Sequence, residues 1–480
     1  MMLRLHALLP ALLLALPASA APENETPETG ALPAPVAVSE LVRENVIALQ
    51  RRAAESERAF DIVASLTTEV GPRSAGSSGD RAAIAWALTK LRELGFENVH
   101  AEPVEVPHWE RGTLVAEILE PYPQQLAALS LGGSIGTPSE GIAAPVIAVE
   151  NLDELATLKR TDVRGHIVYI NGEMERRRDG SGYGEAVGKR TNGAVEAAKL
   201  GAVGVVIRSV GTDNNRHAHT GAMRYADDVK RIPAIALSNP DADMLDRQLA
   251  TGRDVVFRMR STARYLPNEM SANVIGEIPG STKPEEIVLL AAHLDSWDVG
   301  TGAHDDAAGV AIVTAAAKLI GELRTPPERT IRVVLYANEE FGLSGGRAYP
   351  VEHANELENH VLAMEADFGA GRVWKFSSRV PEEKLPMIAT MFELIKPLGI
   401  EWGNNEAYGG ADIGPLRRRG VPVVQPTQDG TLYFDVHHTE NDTLDKIDPV
   451  QLNQNVAVYA TVAYIASMLD EDFGRLPVEE

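Results

Sequence analysis

Two short aliphatic runs, each closing on side chains suited to water or to a metal ion, constrain this chain more than any other feature. Ile287-Val288-Leu289-Leu290-Ala291-Ala292 leads into His293-Leu294-Asp295, and Ile331-Arg332-Val333-Val334-Leu335-Tyr336 leads into Asn338-Glu339-Glu340 after Ala337. Runs this apolar, without the alternation of a half-exposed strand, suit strands covered on both faces in a parallel sheet. Polar groups at the ends of such strands can converge.

A third run, Val361-Leu362-Ala363-Met364-Glu365-Ala366-Asp367, ends the same way. Between the first two lies Gly300-Thr301-Gly302-Ala303-His304-Asp305-Asp306, where small residues let the backbone come close to an ion. Near the C-terminus, His437-His438-Thr439-Glu440-Asn441-Asp442-Thr443 supplies imidazole. The chain has no cysteine, so disulfides and thiolate ligands are excluded and any metal must be held by His and carboxylate. A two-metal hydrolase needs two ligand sets sharing a bridging carboxylate, plus a base outside them. An isolated Asn-Glu-Glu is ordinarily a solvated turn; three buried runs ending alike set this one apart.

The chain is long enough, at 480 residues, for two or three domains. Residues 1–20 combine Arg4, a short apolar core and Ala18-Ser19-Ala20, the pattern of a secretory signal peptide and hence of an exported, periplasmic or secreted protein. Residues 21–36, rich in Pro and small polar residues, are expected to form a flexible leader. Helical spacing covers Leu41 to Ala54 and Ala82 to Leu94, on either side of a loop from Gly71 to Asp80. Strands are predicted at 146–149, 165–170, 204–207 and 232–237, with a helix near Ala194 to Leu200. From Ala272 onward strands alternate with helices such as Ala307 to Leu319 and Pro386 to Leu398. That pattern predicts an α/β fold with a mostly parallel central sheet flanked by helices. The expected division is 37–120 with 264–480 as the site-bearing part and 121–263 as a strand-rich insertion.

Lys plus Arg number 45 against 68 Asp plus Glu, a formal charge of −23 that repels phosphate backbones and argues against nucleic acid as a partner. No apolar stretch after the N-terminus is long enough to span a bilayer.

In order and spacing, His293-Leu294-Asp295-Ser296-Trp297-Asp298-Val299-Gly300, Asp305-Asp306, Glu339-Glu340, Glu365-Ala366-Asp367 and His438-Thr439-x-x-Asp442-Thr443 closely resemble the carboxypeptidase Q branch of the co-catalytic zinc aminopeptidase family. The resemblance extends over nearly all of the chain, including Gly71 to Asp80 and Pro107-His108-Trp109-Glu110-Arg111-Gly112. It implies two zinc ions per chain, bridged by Asp305, with His293 and Asp367 completing one site and Glu340 and His438 the other. Glu339 is then the general base, and Asp295 the carboxylate that orients the His293 imidazole. His437 stays open as an alternative to His438, because on an extended segment only one of two neighbours faces the metal. His304 reads as a loop histidine.

The resemblance also implies that the insertion is a protease-associated domain without ligands of its own, that Asp412 and Tyr408 lie near bound substrate, and that the chain forms a homodimer. Asp412 reads equally as a helix N-cap. Trp297 reads as packing. The function implied is an exopeptidase cleaving dipeptides or short peptides by a hydroxide held between two zincs. Carboxypeptidase, dipeptidase and aminopeptidase polarity stay open. Glutaminyl cyclisation at a single zinc and receptor-like binding without catalysis are the alternatives; the complete ligand set opposes both.

Overall fold

The computed structural model describes residues 31–479; the signal-peptide pattern and the leader up to residue 30 lie outside them. The end of the expected leader is docked rather than flexible. Leu32 and Val36 pack against the main core, the Val36 N–H donates to the Pro386 carbonyl at 3.3 Å, and its carbonyl accepts from Thr390 Oγ1 at 2.9 Å. The apolar side chains at these positions outweigh the Pro-rich composition around them.

One eight-stranded sheet runs, edge to edge, through Glu97–Glu110, Arg264–Ile278, Arg329–Tyr336, Lys283–His293, His360–Glu365, Val423–Gln428, Val373–Arg379 and Glu401–Trp402. Its centre, from Arg329–Tyr336 to Val423–Gln428, is parallel, and antiparallel pairs flank it on both sides. The continuous apolar runs are explained by cover on both faces. Val288, Leu290, Ala292, Val333 and Leu335 pack under the helices Ala308–Gly321 and Pro449–Met468, whereas Leu289, Ala291, Val334 and Tyr336 face Tyr349, Ile413 and Leu416.

The strand Glu97–Glu110, the helix Arg58–Glu69 and the helix Pro449–Met468 go beyond the sequence expectation. The strand carries Pro103 and Pro107, which lack the N–H of a central strand and are tolerated because this strand is an edge. The last helix is buried around nearly its whole circumference, polar Gln454, Asn455, Thr461 and Ser467 included, and so shows no amphipathic stripe. It runs through the core, capped by the Asp448 carboxylate on the Val450 N–H at 2.8 Å.

A second eight-stranded sheet takes Gln124–Leu126, Leu114–Glu120, Val256–Ser261, Ile142–Val149, Ile167–Ile170, Gly204–Arg208, Ala234–Leu237 and Ala128–Ser130 in that order. Leu114–Glu120 belongs here, paired antiparallel with Val256–Ser261 and Gln124–Leu126, so a boundary at 120 falls one strand late. The physical reason is Gly112, whose φ of +62° turns the chain out of the first sheet before that strand begins. The segment also holds helices, among them Gly188–Lys199 and Asn239–Leu249, which cover its parallel strands. The described residues from Leu32 onward form one compact unit that includes both sheets. Among the described residues no helix is long and apolar enough to cross a membrane.

Gly309 allows a close approach of the helix Ala308–Gly321 to the strand ends. A Cβ there would lie 2.0 Å from the Ala366 carbonyl oxygen and 2.3 Å from both Asp306 oxygens. Gly309→Ala is expected to destabilise the protein by about 1–3 kcal/mol through overpacking, read as a lower denaturant midpoint with an unchanged slope.

Candidate metal centre

The parallel register brings the predicted residues together. His293 pairs with Tyr336 across one ladder and Ala291 with Glu365 across the other, so three adjacent strands end at one level. His293 is the last residue of its strand, Glu339 and Glu340 follow Tyr336 after a turn through Asn338 at φ +57°, and Asp367 lies two residues past Glu365. These are the carboxyl ends of parallel strands, where open α/β sheets place their sites.

Asp305 stands at the middle. Its Oδ1 lies 3.1 Å from His293 Nε2, and its Oδ2 lies 3.3 Å from His438 Nε2 and 3.5 Å from His437 Nε2. Asp367 Oδ1 is 3.4 Å from the same His293 nitrogen, and Glu340 Oε2 is 2.9 Å from His438 Nε2. Donor atoms gather as two groups, His293 with Glu339 and Asp367, and Asp305 with His437 and His438, each within 4.8 Å. Asp305 Oδ2 and Glu340 Oε1 are buried yet make no hydrogen bond, which suits a cation between them.

Both imidazoles face Asp305, against the expectation that only one would. His438 adopts φ +61°, which breaks the alternation of an extended chain and stacks the two rings with centroids 3.5 Å apart. They differ behind the ring. His438 Nδ1 lies 3.3 Å from the Thr220 carbonyl, the arrangement that fixes a ligating histidine, whereas His437 Nδ1 is buried without a partner.

Asp295 does more than orient an imidazole. His293 Nδ1 lies 3.1 Å from the Asp295 carbonyl oxygen, nearer than the carboxylate at 3.6 Å. The carboxylate accepts the Glu339 and Glu340 N–H groups at 3.0 and 3.3 Å, so it holds the turn that presents both glutamates. Asp442 accepts the His304 and Asp305 N–H groups at 2.6 and 3.1 Å, and burial pushes its carboxyl up to about 7. Burial, then the Asp367 charge, raises the Glu339 carboxyl well above its ordinary range. For Asp305 burial acts in the same direction, but the facing imidazoles of His293 and His438 outweigh it and hold the group well below its ordinary range.

Two expected residues, Asp412 and Tyr408, do not line the cavity over the centre. Asp412 does not cap the helix Gly414–Arg418, whose cap position is Ile413 without a side-chain bond. Glu365 takes the Asp412 and Ile413 N–H groups at 3.2 and 2.9 Å, and the Asp412 carboxylate turns into the interior with neither oxygen hydrogen-bonded. Tyr408 is 54% exposed, with its ring 5.8 Å from the Arg417 guanidinium. Of that loop, Ala411 is what lines the cavity over the centre. His304 bridges loops as a neutral ring, Nδ1 accepting from the Ala370 N–H at 3.2 Å and Nε2 facing the Lys446 carbonyl at 3.2 Å, while Trp297 packs 5.8 Å from His438.

The cavity over the centre, about 570 Å³, is lined in part by residues that sequence reasoning missed. Tyr183, Arg190, Met223 and Arg224 come from the second-sheet segment and join Phe341, Phe434 and the metal-facing side chains. The same segment holds the histidine loop. His219 places Nδ1 2.7 Å from the His437 carbonyl and Nε2 2.5 Å from Asp213 Oδ1, and the Thr220 N–H donates to the His438 carbonyl at 3.0 Å. His217-Ala218-His219 was the available signal, a spacing that draws attention, although its rings serve Glu440 and Asp213.

Known proteins share both this sequence and this fold. Residues 273–463 match peptidase family M28. Human carboxypeptidase Q is 38% identical over 418 residues, 87% of this chain and 87% of that protein. The chain belongs to peptidase family M28. This M28 peptidase is a metallo-exopeptidase, a hydrolase. Its fold superimposes on the crystal structure of an M28 peptidase precursor from Shewanella amazonensis with a TM-score of 0.90 at 50% identity, covering 91% of this chain and 99% of that one. A zinc aminopeptidase from Bacillus subtilis shares the fold at a TM-score of 0.62 and 20% identity, covering 87% of this chain and 98% of that one.

The tie from Asp213 through His219 to the His437 carbonyl is expected to support metal binding in this M28 peptidase. The double variant Asp213→Ala/His219→Ala, which leaves no unpaired buried carboxylate, should lose about 10- to 100-fold in zinc affinity by chelator competition. Unchanged affinity would separate that tie from the centre.

Proposed function

We propose that this protein is an exported exopeptidase that hydrolyses dipeptides or short peptides at a centre of two zinc ions. The observation that carries the reading is the divided carboxylate of Asp305, one oxygen toward His293 and the other toward His438. A bridging ligand needs that geometry, and a single-metal site does not. His293 and Asp367 would hold one ion with Asp305, and Glu340 and His438 the other. His437 faces the same oxygen but lacks a partner behind its ring. All donors are imidazole or carboxylate, a set zinc accepts. When bound, the ions supply Lewis acidity and ease deprotonation of water.

Glu339 is the base. It lines the cavity, and its backbone is fixed by Asp295, so the carboxylate meets substrate at a set position. It takes a proton from the attacking water as the new C–O bond forms at the scissile carbonyl. It then returns that proton to the leaving nitrogen as the C–N bond breaks, with one water consumed and no net proton change. The cavity volume suits a peptide of a few residues. Arg4, the apolar core and Ala18-Ser19-Ala20 support export.

Glu339→Gln is expected to lower kcat for a dipeptide by about 10²–10⁴-fold while bound metal, measured by atomic emission, stays at the wild-type level. Retained turnover would remove Glu339 from the reaction. Dialysis against a chelator should abolish hydrolysis, and zinc titration should restore it with a stoichiometry of two per chain. Restoration complete at one ion would favour a single-metal centre.

A further inference from the structure

Among the described residues seven arginines are buried, and their partners separate one of them from the rest. Arg111, Arg208, Arg329, Arg332 and Arg417 each form a salt bridge with a carboxylate. Arg73 gives its N–H groups to the carbonyls of Gly71, Leu294, Thr301 and Gly302. Arg190 has neither solution. Its guanidinium meets the Tyr183 hydroxyl at 2.6 Å, the Thr220 carbonyl at 3.4 Å and His438 Nδ1 at 3.4 Å, and its Nε is buried without a partner. Among the described residues no carboxylate forms a salt bridge with this side chain, which is 7% exposed and lines the cavity over the metal centre.

A buried cation without an anion is costly, and its cost is offset when an anion arrives. Resting on the peptidase reading above, we propose that Arg190 binds the terminal carboxylate of the peptide substrate and so selects chains cut next to a free C-terminus. The planar guanidinium matches a carboxylate in a way that a lysine does not. Placement agrees. Only the His438 imidazole separates the guanidinium from the metal-facing Nε2, and one residue of chain spans about 3.5 Å, so the carboxylate one residue past the scissile bond reaches Arg190. Tyr183 accepts from Arg190 and keeps its own hydroxyl proton to donate to the same anion. Arg224 and Arg347, both exposed, add positive charge to the cavity wall of a chain whose formal charge is −23 and would otherwise repel such a substrate.

The test compares a dipeptide with its C-terminal amide on the zinc-loaded protein. Wild type is expected to prefer the acid, and Arg190→Met to lower kcat/KM for the acid about 100-fold more than for the amide. Arg190→Lys, which keeps the charge, should recover part of the preference and keeps the test open should the Met variant fold poorly. Direct titration of Glu339→Gln, alone and with Arg190→Met, should show the acid losing affinity by a similar factor relative to the amide. Equal losses for both substrates together with reduced zinc content would make Arg190 a support for His438 and overturn the proposal, as would a wild type that binds acid and amide alike. If wild type cleaves neither compound, the peptidase reading fails. The titration still decides the role of Arg190.

Discussion

The carboxylates gathered at the carboxyl ends of the central strands repel one another, and the rest of the site is arranged to keep them there. Four of those that do not face the metal-binding region accept main-chain N–H groups instead. Asp295 holds Glu339 and Glu340, Asp306 holds His293 and Gly309, Asp442 holds His304 and Asp305, and Glu365 holds Asp412 and Ile413. Each bond offsets the desolvation of a buried carboxylate and at the same time fixes a loop that carries or borders a site residue. Burial and repulsion raise Glu339, Glu340 and Asp306, so cations are the natural complement of the cluster.

The second sheet takes part in this arrangement although it supplies none of the clustered donor atoms. Through His219 and Thr220 it grips the carbonyls of His437 and His438, and through Tyr183 and Arg190 it forms the wall opposite the acidic strands. Acid on one side and a guanidinium without a salt bridge on the other give the cavity a direction. A peptide has the same polarity, with one end anionic.

Much of this was legible beforehand, for a physical reason that holds residue by residue. Strands buried on both faces must be continuously apolar, so the runs ending at Ala292 and Tyr336 marked the sheet, and side chains just past them had to share one edge. The edge strand Glu97–Glu110 escaped because Pro103 and Pro107 interrupt its pattern, and the helix Pro449–Met468 because it is buried on nearly every side and carries no polar stripe. Asp412 and Tyr408 were expected beside substrate; neither lines the cavity, and Glu365 holds the Asp412 loop by its main chain.

The sequence by itself determined the buried central strands and the donor types, since these follow from local apolar runs and from which side chains can ligate. Tertiary structure alone decided which residues meet. Both imidazoles face Asp305 because His438 takes a left-handed backbone that no residue type announces. Arg190 lies beside His438 across 248 positions of chain, and its lack of a salt bridge is a property of everything packed around it, which no local pattern can encode.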